Sequence, residues 1–382
     1  MDLFIKNGEV LVDGTFQKTN ITVKDSRIFS LGEASNSRSL PELDADGRRI
    51  VPGFIDIHTH GGMGVDVNHA NGEDLCKLSR FFASRGTTGW LASVLTDTEE
   101  KTLWCIDQLV RHMDSENCGA RLLGIHLEGP FLAPDYKGAM PEHLLRKSDP
   151  ALFKKYQKAA GGRVKYITVS PEIEGIPDFI KEISQQGVVV AIGHSGADYD
   201  TAMTCIRNGA SLATHTFNAM KLMHQHHPAI SGAVMESDIY CEAICDGRHL
   251  HPGVVRLLLK IKGFDRVIGV TDSIMAAGLP DGKYVLGVND VEVIDGDARL
   301  IRDGMRAGST LTTVNALKNL VKFTGRSLEE VIPLLTSNPA SLFKWEDRKG
   351  TLDVGKDADL VLLDNDLNVD ATIVGGHIVY QR

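Results

Sequence analysis

Eight apolar, strand-like runs recur through the middle of the chain: Ile50 to His58, Thr88 to Val94, Leu122 to Leu127, Val164 to Val169, Val188 to Gly193, Leu212 to Thr216, Tyr240 to Cys245 and Val267 to Thr271. Most are separated by amphipathic segments of helical length, such as Asp74 to Ser84 and Thr98 to Met113. A strand that is apolar almost throughout must bury both faces, and that is the situation of a parallel sheet covered by helices. Eight such strands with helical crossovers predict an α/β fold of the TIM-type (β/α)8 barrel. An open doubly wound sheet is the rival, but no GxGxxG follows the first strand.

The two ends of the chain read differently. Leu3-Phe4-Ile5, Glu9 to Val12, Asn20 to Val23 and Arg27 to Phe29 are short strand-like runs, and Asn7-Gly8 and Asp13-Gly14 supply hairpin turn chemistry. Near the C-terminus, Asp359 to Leu363 and Thr372 to Val374 lead through Gly375-Gly376 to Ile378-Val379-Tyr380. Either piece alone is too small to bury a core, so the economical reading joins them into one small β-sandwich domain. The expected division is residues 1–51 plus 346–382 for that domain and 52–345 for the barrel.

Composition narrows the partners. With 42% hydrophobic and 24% charged residues among 382, the chain can bury a large core. A net charge of -9 argues against nucleic acid, whose phosphates call for a basic face, but leaves room for a small phosphorylated ligand. No run approaches the roughly 18 apolar residues of a membrane span. The start MDLFIKNGEV carries charges where a signal peptide needs an apolar stretch, and a cytoplasmic location is expected. The six cysteines show no CxxC pair and are expected as separate reduced thiols.

The chemistry sits at the strand ends, where barrel enzymes keep their active sites. The first strand ends in His58-Thr59-His60, the third in His126-Leu127-Glu128, the fifth in Gly193-His194, the sixth in Thr214-His215 and the eighth in Thr271-Asp272. Residues two apart on a strand point the same way, so His58 and His60 can reach one ion. Taken singly, each is an ordinary core histidine or acid. Together, His58, His60, His194, His215, Glu128 and Asp272 place ligand-type groups where apolar ones would serve a core better. Burying them unpaired costs a few kcal/mol each, and a divalent metal satisfies them all. Such an ion makes water a nucleophile able to attack an amide, and Asp272 is placed to take the water's proton and return it to the departing amine. Backbone N–H groups of Asn218-Ala219, after the sixth strand, are candidates for an anion.

Six motifs together resemble the N-acetylglucosamine-6-phosphate deacetylase family of the amidohydrolase superfamily: VPGFIDIHTHGG at 51–62, HLEGP at 126–130, GHS at 193–195, THTFNAM at 214–220, CDGRHLHP at 245–252 and VTDS at 270–273. The run from Gly350 to Leu360 also looks like that superfamily. The resemblance implies removal of an acetyl group from an amino-sugar phosphate. It implies that Glu128, His194 and His215 hold the principal metal and that His58 and His60 hold a second where the pair is present. It also implies that Ala139, Asn218, Ala219, His226 and His249 meet the substrate, and that the protein is a homodimer. Zinc is the default ion, one or two per subunit, with iron, manganese or cobalt compatible with the donor set. Two positions depart from the family pattern. His226 stands where the family has an arginine that reaches a neighbouring subunit's site, and a histidine cannot make the bidentate contact. Met140 stands where the family has a histidine. These departures keep open the galactosamine epimer and other N-acyl amino sugars. A cyclic-amide hydrolase is more distant, because Lys165 lies at the wrong end of the fourth strand to bridge metals. An inactive scaffold is a further alternative, although the ligand set is complete.

Overall fold

The computed structural model describes residues 2–32, 40–116 and 118–382. Eight parallel strands follow one another in spatial order: Phe54–Thr59, Thr87–Leu95, Arg121–Glu128, Val164–Val169, Val189–Ile192, Leu212–Ala213, Tyr240–Ile244 and Val267–Val270. Most of their residues are buried on both faces, as the unbroken apolar runs require. The last strand returns to the first through a bridge between Thr59 and Ser273, so the sheet curls into the expected barrel. Helices such as Gly72–Ala83 and Glu99–Asp114 cover the outside. Their starts are set locally. Asn71 accepts from the N–H groups of Glu73 and Asp74 in a capping box, and Thr98 and Asp149 cap the next two.

The termini meet in one eight-stranded sheet. Leu360–Leu363 pairs antiparallel with Arg49–Pro52, which pairs in turn with Leu3–Val12, stitching the C-terminal strands to the N-terminal ones. Leu3, Ile5, Ile21, Ile50, Leu360 and Leu362 share its core. Asp13-Gly14 forms the expected two-residue hairpin, with positive φ at both residues. Asn7-Gly8 does not turn the chain. It is a bulge inside the strand Leu3–Val12, where Asn7 takes φ 59° and the register with Thr15–Lys24 shifts.

Two further features depart from the sequence reading. Cys76 and Cys118 are joined in a disulfide, while Cys105, Cys205, Cys241 and Cys245 are buried free thiols. A three-stranded antiparallel sheet, Gly282–Leu286, Asn289–Ile294 and Asp297–Leu300, follows the eighth barrel strand. Leu286, Val291, Val293, Ala298 and Leu300 form its apolar underside and pack over Leu95, Leu132, Met140 and Ile274 at the strand ends. Met140 is therefore buried core beneath this insert, which accounts for an apolar side chain at that position.

If the terminal strands share one core, Ile50→Ala should cost about 2–5 kcal/mol. The loss should appear as a lower urea midpoint, and an unchanged midpoint would show that Ile50 does not join the two ends.

Candidate active site

Four imidazoles converge with two carboxylates at the C-terminal ends of the strands, and all six residues are buried. Each imidazole is anchored by its Nδ1. That of His58 meets Glu242 Oε2 at 2.9 Å and that of His60 meets the Ser93 carbonyl at 3.1 Å. His194 Nδ1 meets the Tyr136 carbonyl at 2.7 Å, and His215 Nδ1 meets the Asn218 carbonyl at 3.1 Å. All four partners are acceptors, so the proton of each neutral ring sits on Nδ1 and the Nε2 lone pair points inward.

Those lone pairs face one another. His194 Nε2 lies 3.0 Å from His215 Nε2, and His58 Nε2 lies 3.2 Å from His60 Nε2. Two lone pairs at that distance repel, and a positive charge between them turns the contact favourable. Carboxylates close the arrangement. Glu128 Oε1 is 3.1 Å from His194 Nε2 and 3.2 Å from His215 Nε2, and Asp272 Oδ1 is 3.2 Å from His60 Nε2. Two groups result, His58 with His60 and Asp272, and Glu128 with His194 and His215. Both suit a divalent cation in donor type and spacing.

The electrostatics show the same demand for positive charge, which a proton on the His58 and His60 rings meets when no cation is bound and which a cation meets by displacing it. Burial opposes a charge on His58, but Glu242, Asp272 and Glu128 raise its pKa to about 9. Burial also opposes a charge on His60, yet hydrogen bonds to Asp272 and Glu128 lift it to about 10. Burial pushes the Asp272 carboxyl up, and the facing His58 and His60 outweigh it and hold it below the ordinary value. Backbone strain marks the same place. His194, His215 and Asp272 adopt φ of 47°, 29° and 48°. Left-handed backbone outside glycine costs on the order of 1–3 kcal/mol each.

A cavity of about 260 Å³ opens above the group, bounded by His60, Glu128, His194, His215 and Asp272 and also by Ala139, Asn218, Ala219 and His249. His249 is held by Asp246, which accepts from its ring Nδ1 and its backbone N–H at 2.7 and 2.8 Å. The Asn218 N–H donates to the His215 carbonyl at 2.9 Å, so it is used inside the turn and not offered to a ligand. The Ala219 N–H has no acceptor within the chain among the described residues. His226 is not part of the cavity wall. It lies exposed on a tight loop in which His224 and His227 pair through their backbones.

His126 proves to be structural. Its ring stacks on Tyr166 with centroids 3.7 Å apart and bonds Ser93 and Thr168. Glu242 was not anticipated. It is fully buried, and besides His58 its carboxylate accepts from the His215 N–H at 2.8 Å and the Tyr166 hydroxyl at 3.0 Å. One carboxylate thus braces both ligand groups. Its sequence signal was a lone acid within the apolar run Tyr240–Ile244.

A closed barrel whose strand ends gather imidazoles and carboxylates around one cavity defines a hydrolase of the metal-dependent barrel class. The chain belongs to the amidohydrolase family, whose model it matches over residues 49–379. It is similar to the N-acetylglucosamine-6-phosphate deacetylase of Bacillus subtilis, at 37% identity covering 99% of this chain and 97% of that protein. The deacetylase of Bos taurus is 32% identical, covering 98% and 95%. Among solved structures, the deacetylase of Pasteurella multocida superposes with a TM-score of 0.93 at 29% identity, with full coverage of both chains. A Mycobacterium smegmatis mutant deacetylase in complex with N-acetyl-D-glucosamine-6-phosphate gives 0.92 at 30%, also with full coverage.

Glu242→Gln places an amide donor among two N–H donors and a hydroxyl. Metal affinity should fall by about 10–100-fold, the usual effect of losing a carboxylate behind a ligand histidine. A chelator-competition titration measures it, and an unchanged affinity would show that Glu242 does not orient His58.

Proposed function

We propose that the protein hydrolyses the acetamido group of N-acetylglucosamine 6-phosphate, giving glucosamine 6-phosphate and acetate. The observation that carries this reading is the convergence of four Nε2 lone pairs and two carboxylates on one cavity, in a chain similar over its whole length to enzymes of that name. Glu128, His194 and His215 would hold the principal divalent ion, and His58, His60 and Asp272 would hold a second. Zinc is the ion we assign, since imidazole with carboxylate suits it. When bound, such an ion supplies Lewis acidity, which makes water nucleophilic near neutral pH and polarises an amide carbonyl.

The residues of the chain do the rest. Asp272 is ionised and faces the cavity, so its carboxylate takes the proton of the attacking water. It then gives that proton to the amide nitrogen as the carbon–nitrogen bond breaks, and acetate and amine leave. His249, fixed by Asp246, lines the cavity and would meet the sugar. The insert sheet contributes Leu286 to the cavity wall. The loop carrying exposed Leu222, Met223 and His226 supports a homodimer in which that loop meets the neighbouring copy. No helix among the described residues is long and apolar enough to cross a membrane.

Asp272→Asn should lower kcat for acetate release by about 10²–10⁴-fold, the range for removing a general acid–base. An enzyme that keeps its rate would exclude Asp272 as the proton carrier. Chelation should abolish acetate release and added zinc restore it, and activity that survives complete metal removal would contradict the reading. Light scattering should give twice the chain mass, and a monomer would remove the role given to the loop.

A further inference from the structure

The substrate proposed above is anionic, yet most polar side chains around the cavity are committed elsewhere. Glu128, Asp272, His60, His194 and His215 face the ion site, and His249 is tied to Asp246. Among the described residues, one arginine or lysine lines the cavity, Arg306, in the strap that runs from the insert sheet to Gly308. The sequence offered no motif for it.

Its surroundings are those of a prepared anion contact. The backbone at Arg306 is bridged to Arg299 of the insert sheet. The guanidinium is forked onto Asp297, with Nε to Oδ1 at 2.8 Å and Nη2 to Oδ2 at 3.2 Å. Asp297 also holds Arg299, through Nε at 2.9 Å and Nη2 at 2.8 Å. Two guanidinium groups share that one carboxylate. Asp246 makes no ion pair with either guanidinium; its carboxylate accepts from the His249 ring and from the backbone N–H groups of Arg248 and His249. Neither Nη1 hydrogen of Arg306 has a protein acceptor among the described residues. A planar cation held still by one face, with donors left over on a cavity wall, is suited to an oxyanion.

We propose that Arg306 is a specificity-determining residue that seats the phosphate of the substrate from within the same chain. The proposal rests on the deacetylase reading for its substrate. The bond to Asp297 orients the guanidinium before the ligand arrives, so little side-chain freedom remains to be lost on binding.

The test compares acetate release from N-acetylglucosamine 6-phosphate and from unphosphorylated N-acetylglucosamine by the zinc-loaded wild type, Arg306→Met and Arg306→Lys. Loss of a charge-assisted contact should reduce the preference for the phosphorylated sugar, as a ratio of kcat/KM values, by about 10–100-fold in the methionine variant. The change should lie mainly in KM, and lysine should restore part of it. A preference unchanged in both variants, whatever their absolute rates, would overturn the proposal. Calorimetric titration of inorganic phosphate into wild type and Arg306→Met separates the two readings. If the wild type releases no acetate from either sugar, the deacetylase reading fails. Tighter phosphate binding by wild type than by the variant would then still support Arg306 as the anion contact, and equal binding would reject it.

Discussion

The seam where the first barrel strand meets the last holds both the fold and the site together. The Asp272 N–H donates to the His58 carbonyl at 2.8 Å, and the His60 N–H donates to the Ser273 carbonyl at 2.8 Å. Closing the sheet and bringing Asp272 to the two imidazoles are therefore one event. The seam is stabilised further by the Ser309 N–H, which donates to the Asp272 carbonyl at 2.7 Å, and by the Thr59–Ser273 hydroxyl pair at 2.8 Å. These bonds hold Asp272 in a left-handed conformation that an isolated strand end would avoid.

Around that seam, the fold supplies an acceptor behind every histidine. Two are carbonyls in loops that follow strands, Tyr136 and Asn218, one is the carbonyl of Ser93 within a strand, and one is the carboxylate of Glu242. Each sets a tautomer, and the four tautomers together leave the centre rich in lone pairs and in need of positive charge. Beneath the site, His126, Ser93, Thr168, Thr214 and Tyr166 satisfy one another in a connected hydrogen-bond network.

Much of this was legible in the sequence because it is written locally. Unbroken apolar runs mark buried strands, and His58-Thr59-His60 at a strand end fixes which way two imidazoles point. What was not legible depends on contacts distant in sequence. Nothing local says that Glu242 will lie under His58, 184 positions away, or that Cys76 will meet Cys118. Asn7-Gly8 carries turn residues, but pairing with both neighbouring strands makes it a bulge, a choice that only the assembled sheet decides. The insert sheet has a local signature: Val291 and Val293 alternate with charged residues, and Asp295-Gly296 follows as a hairpin turn. Arg306 had no signal in composition or spacing, since its place on the cavity wall follows from that insert.

Converging lone pairs make this a cation site. X-ray diffraction from crystals of the zinc-loaded protein, recorded on both sides of the zinc absorption edge, tests it most directly. An anomalous peak is expected within coordination distance of Glu128 and the Nε2 atoms of His194 and His215. Zinc-loaded crystals with no anomalous peak among the six side chains would contradict it.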